Sequence, residues 1–411
     1  MVNVGDSPPR RAAIVFILGT IVLDVLAFGL IAPVLPVLIQ SFCGGDTGVA
    51  AATYGLFATA WAVMQFLWSP MMGVLSDRFG RRPVLLISLG GLGLDYILMA
   101  LAPTLTWLFV GRVISGITAA TYSTASAYVT DITPREKRAA AYGYIGAAWG
   151  IGFVVAPAIG GILGELNPRL PFWVAALLTL ANTLYGWFVV PESLPLENRN
   201  PFSWRRANPF GSLVLIRARR GLAGLFTMQT LHIIAHYSLP SVFVLYATHR
   251  YHWSLGQIGW ALGFMGACTA IVQGALIGPT VRWFGERKSL LIGLVAETLG
   301  YAGYALAPTS TWFLMAIPFG ALGGLYSASS QTLMAHRVRA EEQGELQGAS
   351  SSLMGLAGIV GPEIFAGSFA FALGASNIQI PGLPFLIASL LTASAFGVAV
   401  IATRPRFSRE A

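Results

Sequence analysis

Apolar runs of about 20 residues recur along the chain, each long enough to cross a bilayer as a helix. Short polar stretches separate them. The pattern predicts helices near 12–38, 51–75, 84–102, 105–129, 139–163, 171–191, 221–247, 255–280, 288–307, 311–335, 345–372 and 382–402. Ten-residue segments of alternating polarity, the mark of a membrane β-barrel, do not occur. The predicted fold class is therefore all-α, a polytopic membrane protein of 12 transmembrane helices. The first run follows Arg10-Arg11 and so imitates a secretory signal. It continues to about Leu38 with no small-residue cleavage site, which reads as a retained first span.

The pattern repeats. Leu-Ala-Pro-Thr stands at 101–104 and at 306–309, with Trp107 and Trp312 at the same offset of 205. Gly73, Gly80, Arg82, Gly143 and Pro157 fall on Gly278, Gly285, Arg287, Gly348 and Pro362 at that offset. The chain is thus read as two six-helix repeats, 1–191 and 221–411, joined by a polar cytoplasmic linker at 192–220. Six helices per repeat give both the same orientation. This is a transporter architecture, with a substrate site expected between halves that rock around it.

Composition agrees with the spans: 55% of residues are hydrophobic and 10% charged, where soluble domains carry about a quarter charged. The net charge of +8 raises the question of nucleic acid. Loop position answers it. With the N-terminus in the cytoplasm, only Arg169 and Arg250 lie on the far side and only Arg112 within a span. The other 22 of the 25 basic residues are then cytoplasmic. The positive-inside rule accounts for the charge, and no nucleic-acid partner is expected. Cys43 and Cys268 suggest neither a disulfide framework nor a zinc site.

Few ionisable residues remain inside spans: Asp24, Asp95, Arg112, Glu297 and Glu363. Each charge at mid-bilayer costs about 2.5–3.5 kcal/mol on insertion scales, so such residues normally face a cavity and work there. The alternative is a buried ion pair that only fixes packing. A desolvated carboxylate holds a proton until a cation displaces it. Asp24 and Asp95 in the first half and Glu297 in the second therefore suit proton-coupled export of a cation. Arg112 reads either as a partner that biases a neighbouring acid or as an arginine snorkelling outward. His232 and His236, one turn apart, lack an evident third ligand for zinc. They read as cavity-lining groups, or as a pH sensor. Gln65 and Gln229 are read as cavity hydrogen-bonders or satisfied interhelical groups. Glu363 has Ala158 as its repeat counterpart. Pro157, Gly160 and Gly161 form a kinked small-residue seam on the fifth span, read as packing or as a leak seal. No nucleophile–base pairing appears, so no enzyme is expected, and no cofactor or protein-bound metal.

The stretch from Gly73 to Arg82 resembles the loop signature of the major facilitator superfamily, Gly-x-Leu-x-Asp-Arg-x-Gly-Arg-Arg/Lys, with every position filled. Ala156-Pro157-x-x-Gly160-Gly161 resembles the fifth-helix antiporter signature, with Ala for its first Gly. Closer similarity is to the tetracycline/proton antiporters, through Leu23-Asp24, Gly29–Pro36, Ser76–Leu86, Leu94-Asp95-Tyr96, Gly111–Thr118 and Gln343–Gly348. The resemblance implies the major facilitator fold in a bacterial inner membrane, both termini cytoplasmic. It implies export of a divalent-metal–tetracycline chelate, Mg2+ travelling as cargo, in exchange for protons. Asp24, Asp95 and Glu297 take the essential acids' places, with Glu where that family usually has Asp. An exporter of another lipophilic cation or metabolite, and a solute/proton symporter, remain alternatives. Gly73, Asp77, Arg78, Gly80, Arg81 and Arg82 are then expected to form a cytoplasmic latch, Asp77 toward the eleventh span near Gly344 and Arg81 toward Asp131. The alternative is that the arginines only set topology.

Overall fold

A computed structural model describes residues 8–119, 121–133, 137–204, 207–210, 222–339, 342–374 and 380–404. Of the linker, residues 205, 206 and 211–220 lie outside the described residues.

The described residues form α1 (Pro8–Ile31), α2 (Leu35–Phe42), α3 (Thr47–Phe79), α4 (Arg81–Leu101), α5 (Leu105–Thr118), α6 (Thr121–Ile132), α7 (Arg138–Leu166) and α8 (Leu170–Val189). After the linker come α9 (Ala223–His236), α10 (Ser238–Tyr251), α11 (Leu255–Ile271), α12 (Ile277–Leu306), α13 (Ser310–Ala321), α14 (Gly324–Ala335), α15 (Gln343–Gly374) and α16 (Leu383–Ala402). Among the described residues, ten stretches are long and apolar enough to cross a membrane. One of them, Leu255–Leu306, is 52 residues long and holds two passes that meet at Gly285. The shorter apolar helix α5 and then α6 fall on the run read at 105–129. The chain therefore has the twelve passes that its hydrophobic pattern predicts.

Most of the helices are longer than the apolar runs and several are broken. The first span stops at Ile31 and restarts at Leu35, because Pro33 has no N–H to donate. The seventh breaks at Tyr237, ahead of Pro240 in the next turn. The fourth leaves its helix at Ala119, the tenth at Leu322–Gly323. The first pair of breaks and the second pair each lie about 205 residues apart, so the repeat extends to where helices bend. It reaches the backbone angles too. Gly80 (φ 106°, ψ 158°) and Gly285 (φ 74°, ψ 164°) take the same glycine-favoring conformation at the turn into the third span of each half. Ala102 and Ala307 are extended ahead of Pro103 and Pro308, which ends both third spans alike.

Packing divides the chain into two units, Met1–Pro209 with His252–Gly266, and Phe210–Tyr251 with Ala267–Ala411. In the first, α1 lies against α7 and α8, and α4 against α8 and α5. Its core includes Ile39, Phe57, Met99, Leu108 and Phe172. In the second, α16 lies against α9 and α12, around Leu225, Leu290, Leu294 and Ala395.

Candidate transport site

In the first unit, Asp24 on α1, Asp95 on α4 and Arg112 on α5 surround Tyr96, which lies within electrostatic range of all three. Asp95 is 1% exposed, and both its carboxylate oxygens are buried with no hydrogen-bond partner among the described residues. Asp24 is half-buried, its Oδ1 likewise unpartnered. An isolated buried carboxylate is costly to keep charged, so either a proton or a bound cation relieves it. Glycine makes the room: a Cβ on Gly111 would stand 2.8 Å from Asp95 Oδ1. One turn before Asp24, Thr20 and Asn182 exchange buried hydrogen bonds of 3.2 and 3.3 Å, tying α1 to α8. Arg112 is buried rather than snorkelled outward. Its Nη2 donates to Ser115 Oγ (3.2 Å) and its guanidinium lies 5.6 Å from the Trp61 ring centre. Gln65 is half-buried on α3.

In the second unit, Glu297 on α12 is buried against two histidines of α9. His232 Nε2 stands 2.9 Å from Oε2, and His236 Nδ1 4.0 Å from Oε1. The His232 ring stacks on Tyr326 at 3.8 Å between centres. The break in the tenth span sets Gly323 beside the carboxylate, where a Cβ would come within 2.9 Å of Glu297 Cδ. Gln229, the repeat counterpart of Asp24, accepts a 3.4 Å hydrogen bond from Ser350. Glu363 is exposed on α15, next to the buried Pro362.

The charged turn between α3 and α4 is a network. Arg81 Nη1 lies 2.6 Å from Asp77 Oδ1 and from Ser76 Oγ, and Arg81 Nε 3.1 Å from Asp131 Oδ2. Gly80 leaves space for Glu192, whose carboxylate accepts from the backbone N–H of Arg81 (2.8 Å) and Arg82 (3.3 Å). Two free N–H groups at the start of α4 are thereby satisfied. Arg82 Nη2 donates to Trp187 O (2.5 Å), at the end of α8. Arg287, its counterpart, donates to Thr403 Oγ1 (3.2 Å) at the end of α16. Arg78 lies over Phe79, and Gly73 has open space where a Cβ would stand.

Pro157, Gly160 and Gly161 make a seam on both faces of α7. A Cβ on Gly160 would strike the Leu30 backbone of α1. One on Gly161 would strike Leu255 O of α11, and one on Gly259 would strike Pro157 O. Beyond the seam, Glu165 Oε1 accepts from Gly256 N (3.0 Å) and caps the start of α11.

Glu192, Glu165, Tyr96 and Tyr326 are absent from the candidates read in the sequence. Tyr96 adjoins Asp95 and had a local cue. Glu192 and Glu165 reach partners 111 and 91 residues away in sequence and had none.

The Major Facilitator Superfamily model matches residues 17–362. The class C tetracycline resistance protein of Escherichia coli is 37% identical over 92% of this chain and 94% of its own. The class G protein of Vibrio anguillarum is 36% identical over 90% and 93%. Among solved structures, the human organic anion transporter MFSD10 (TETRAN) superposes with a TM-score of 0.70 at 23% identity, covering 96% of this chain and 100% of its own. The nucleoside transporter NupG gives 0.77 at 12% identity, covering 97% and 100%. These two likenesses speak for the fold alone. The chain is a multi-pass membrane transporter that belongs to the major facilitator superfamily and, within it, to the family of the tetracycline resistance proteins.

Proposed function

We propose that the chain lies in the inner membrane of a bacterium, both termini cytoplasmic, and exports tetracycline as a divalent-metal chelate in exchange for protons. The observation that carries the reading is Asp95: a fully buried carboxylate with neither oxygen partnered among the described residues. Such a group has two comfortable states, protonated or facing a cation. A cation arriving at Asp24 and Asp95 expels the proton; its departure invites the proton back. Glu297 supplies a carboxylate in the second unit. The chelated metal, Mg2+, is cargo and supplies the positive charge that the acids recognise. The charged α3–α4 turn is read as a latch whose contacts break and reform during the cycle.

Replacing Asp24 or Asp95 by Asn keeps size and polarity and removes the charge. Each variant is expected to lose tetracycline resistance in a susceptible bacterium while membrane levels stay normal by immunoblot. Full drug export by both variants would end the proton-exchange reading. A second reading, export of another lipophilic cation, is favored by Glu297: its reach is one methylene longer than Asp, and His232 already engages it.

A further inference from the structure

We propose that His232 and Glu297 hold one proton between them and that His236 is the group through which it enters and leaves. The second unit then has a proton site of its own. The inference rests on the reading that export is exchanged for protons.

The geometry is asymmetric. Glu297 Oε2 faces His232, whose side chain is 12% exposed; Oε1 faces His236, which is 73% exposed. One oxygen meets an enclosed imidazole and the other an open one. His232 Nε2 and Oε2 are in ion-pair range but off hydrogen-bond alignment, and both are buried. The surroundings offer few other titratable groups. Tyr326 on α14, and Tyr301 and Tyr304 on α12 itself, lie within electrostatic range of Glu297. Packed against α12, α13 and α16 contain no ionisable side chain, and neither does the π turn Val272–Leu276. On α9 the two histidines are the only ones.

The proton balance is simple. With both imidazoles neutral and the carboxylate ionised, the buried pair carries one negative charge. His236 takes a proton from water and passes its Nδ1 proton to Oε1 across 4.0 Å, a gap that one water spans. His236 is neutral again, and the pair is now neutral overall, as acid with imidazole or as carboxylate with imidazolium. Arrival of a cation favours the negative form and sends the proton back by the same path. Imidazole suits this relay because it can take a proton at one ring nitrogen while giving one up from the other.

The test is the initial rate of Mg2+–tetracycline uptake into inverted vesicles under an imposed pH gradient, at rising concentrations of an impermeant sulfonate buffer. His236→Ala is expected to slow uptake about a hundredfold at low buffer, the low end of a proton-transfer contribution. The rate should recover as buffer replaces the missing imidazole. His232→Gln should not recover, because buffer cannot reach an enclosed group. In parallel, infrared pH-difference spectra of the substrate-free purified protein should lose a carboxyl band in Glu297→Gln and show it displaced in His232→Gln. A His236→Ala rate that equals wild type at low buffer, or ignores buffer, overturns the proposal. So does an unchanged His232→Gln spectrum. Wild-type vesicles that take up no tetracycline would refute the assigned cargo instead, and the infrared spectra would still decide the proton pair.

Discussion

Gly80 and Gly285 occupy equivalent turns in similar glycine-only conformations, but their surroundings differ. A Cβ on Gly80 would stand on the Glu192 carboxylate, whereas one on Gly285 would meet nothing within 4 Å. Replacing either by Ala forces a side chain into a backbone region that costs about 1–3 kcal/mol. Only Gly80→Ala also displaces Glu192 from the N–H groups of Arg81 and Arg82. Hydrogen bonds to a charged group contribute about 1.5–3 kcal/mol each, and Glu192 is about a quarter exposed. Discounting for solvent, the displacement adds about 2 kcal/mol. A chain of this length loses about 1 °C of Tm per kcal/mol. Gly285→Ala should thus lower Tm by about 2 °C, and Gly80→Ala by about 4 °C. The assay is tryptophan-fluorescence melting of purified protein in detergent. On a Glu192→Ala background the extra penalty should vanish, a coupling of about 2 kcal/mol in a double-mutant cycle. Equal shifts for the two alanines, or an extra penalty that survives without Glu192, would refute the cap.

Two further outcomes follow from the packing. Gly161→Val and Gly259→Val drive a side chain into the facing backbone, and overpacking of this kind costs about 1–3 kcal/mol; both should abolish resistance. Gly278→Val, with nothing within 4 Å of its Cβ position, should retain it in the same plate assay. Glu297→Asp keeps the charge but draws it back from His232, so resistance should be partial; complete loss would mean that reach outweighs charge.

The twelve passes and the 205-residue repeat were legible because apolar run length and Pro/Gly spacing are local quantities. The helix ends were not. α3 runs from Thr47 to Phe79, beyond the apolar core read at 51–75, because polar residues continue a helix once it has formed. Of the broken spans, Pro33 announces the first, while Tyr237 and Leu322–Gly323 carry no proline at the break itself. The π turn at Val272–Leu276 has no sequence cue at all. The acids of the candidate site stood out because charge is scarce in an apolar chain. Their surroundings, such as Tyr326 under His232 and the Gly323 turn beside Glu297, depend on how separate helices meet, which periodicity does not encode.

The central claim is exchange of a cationic tetracycline chelate for protons. Its most direct measurement is tetracycline uptake into inverted membrane vesicles under an imposed pH gradient, with and without magnesium. The account predicts uptake that requires both the gradient and the metal, collapses when the gradient is dissipated, and is lost in Asp95→Asn. Uptake that proceeds equally without gradient or metal, or that Asp95→Asn sustains in full, would contradict it.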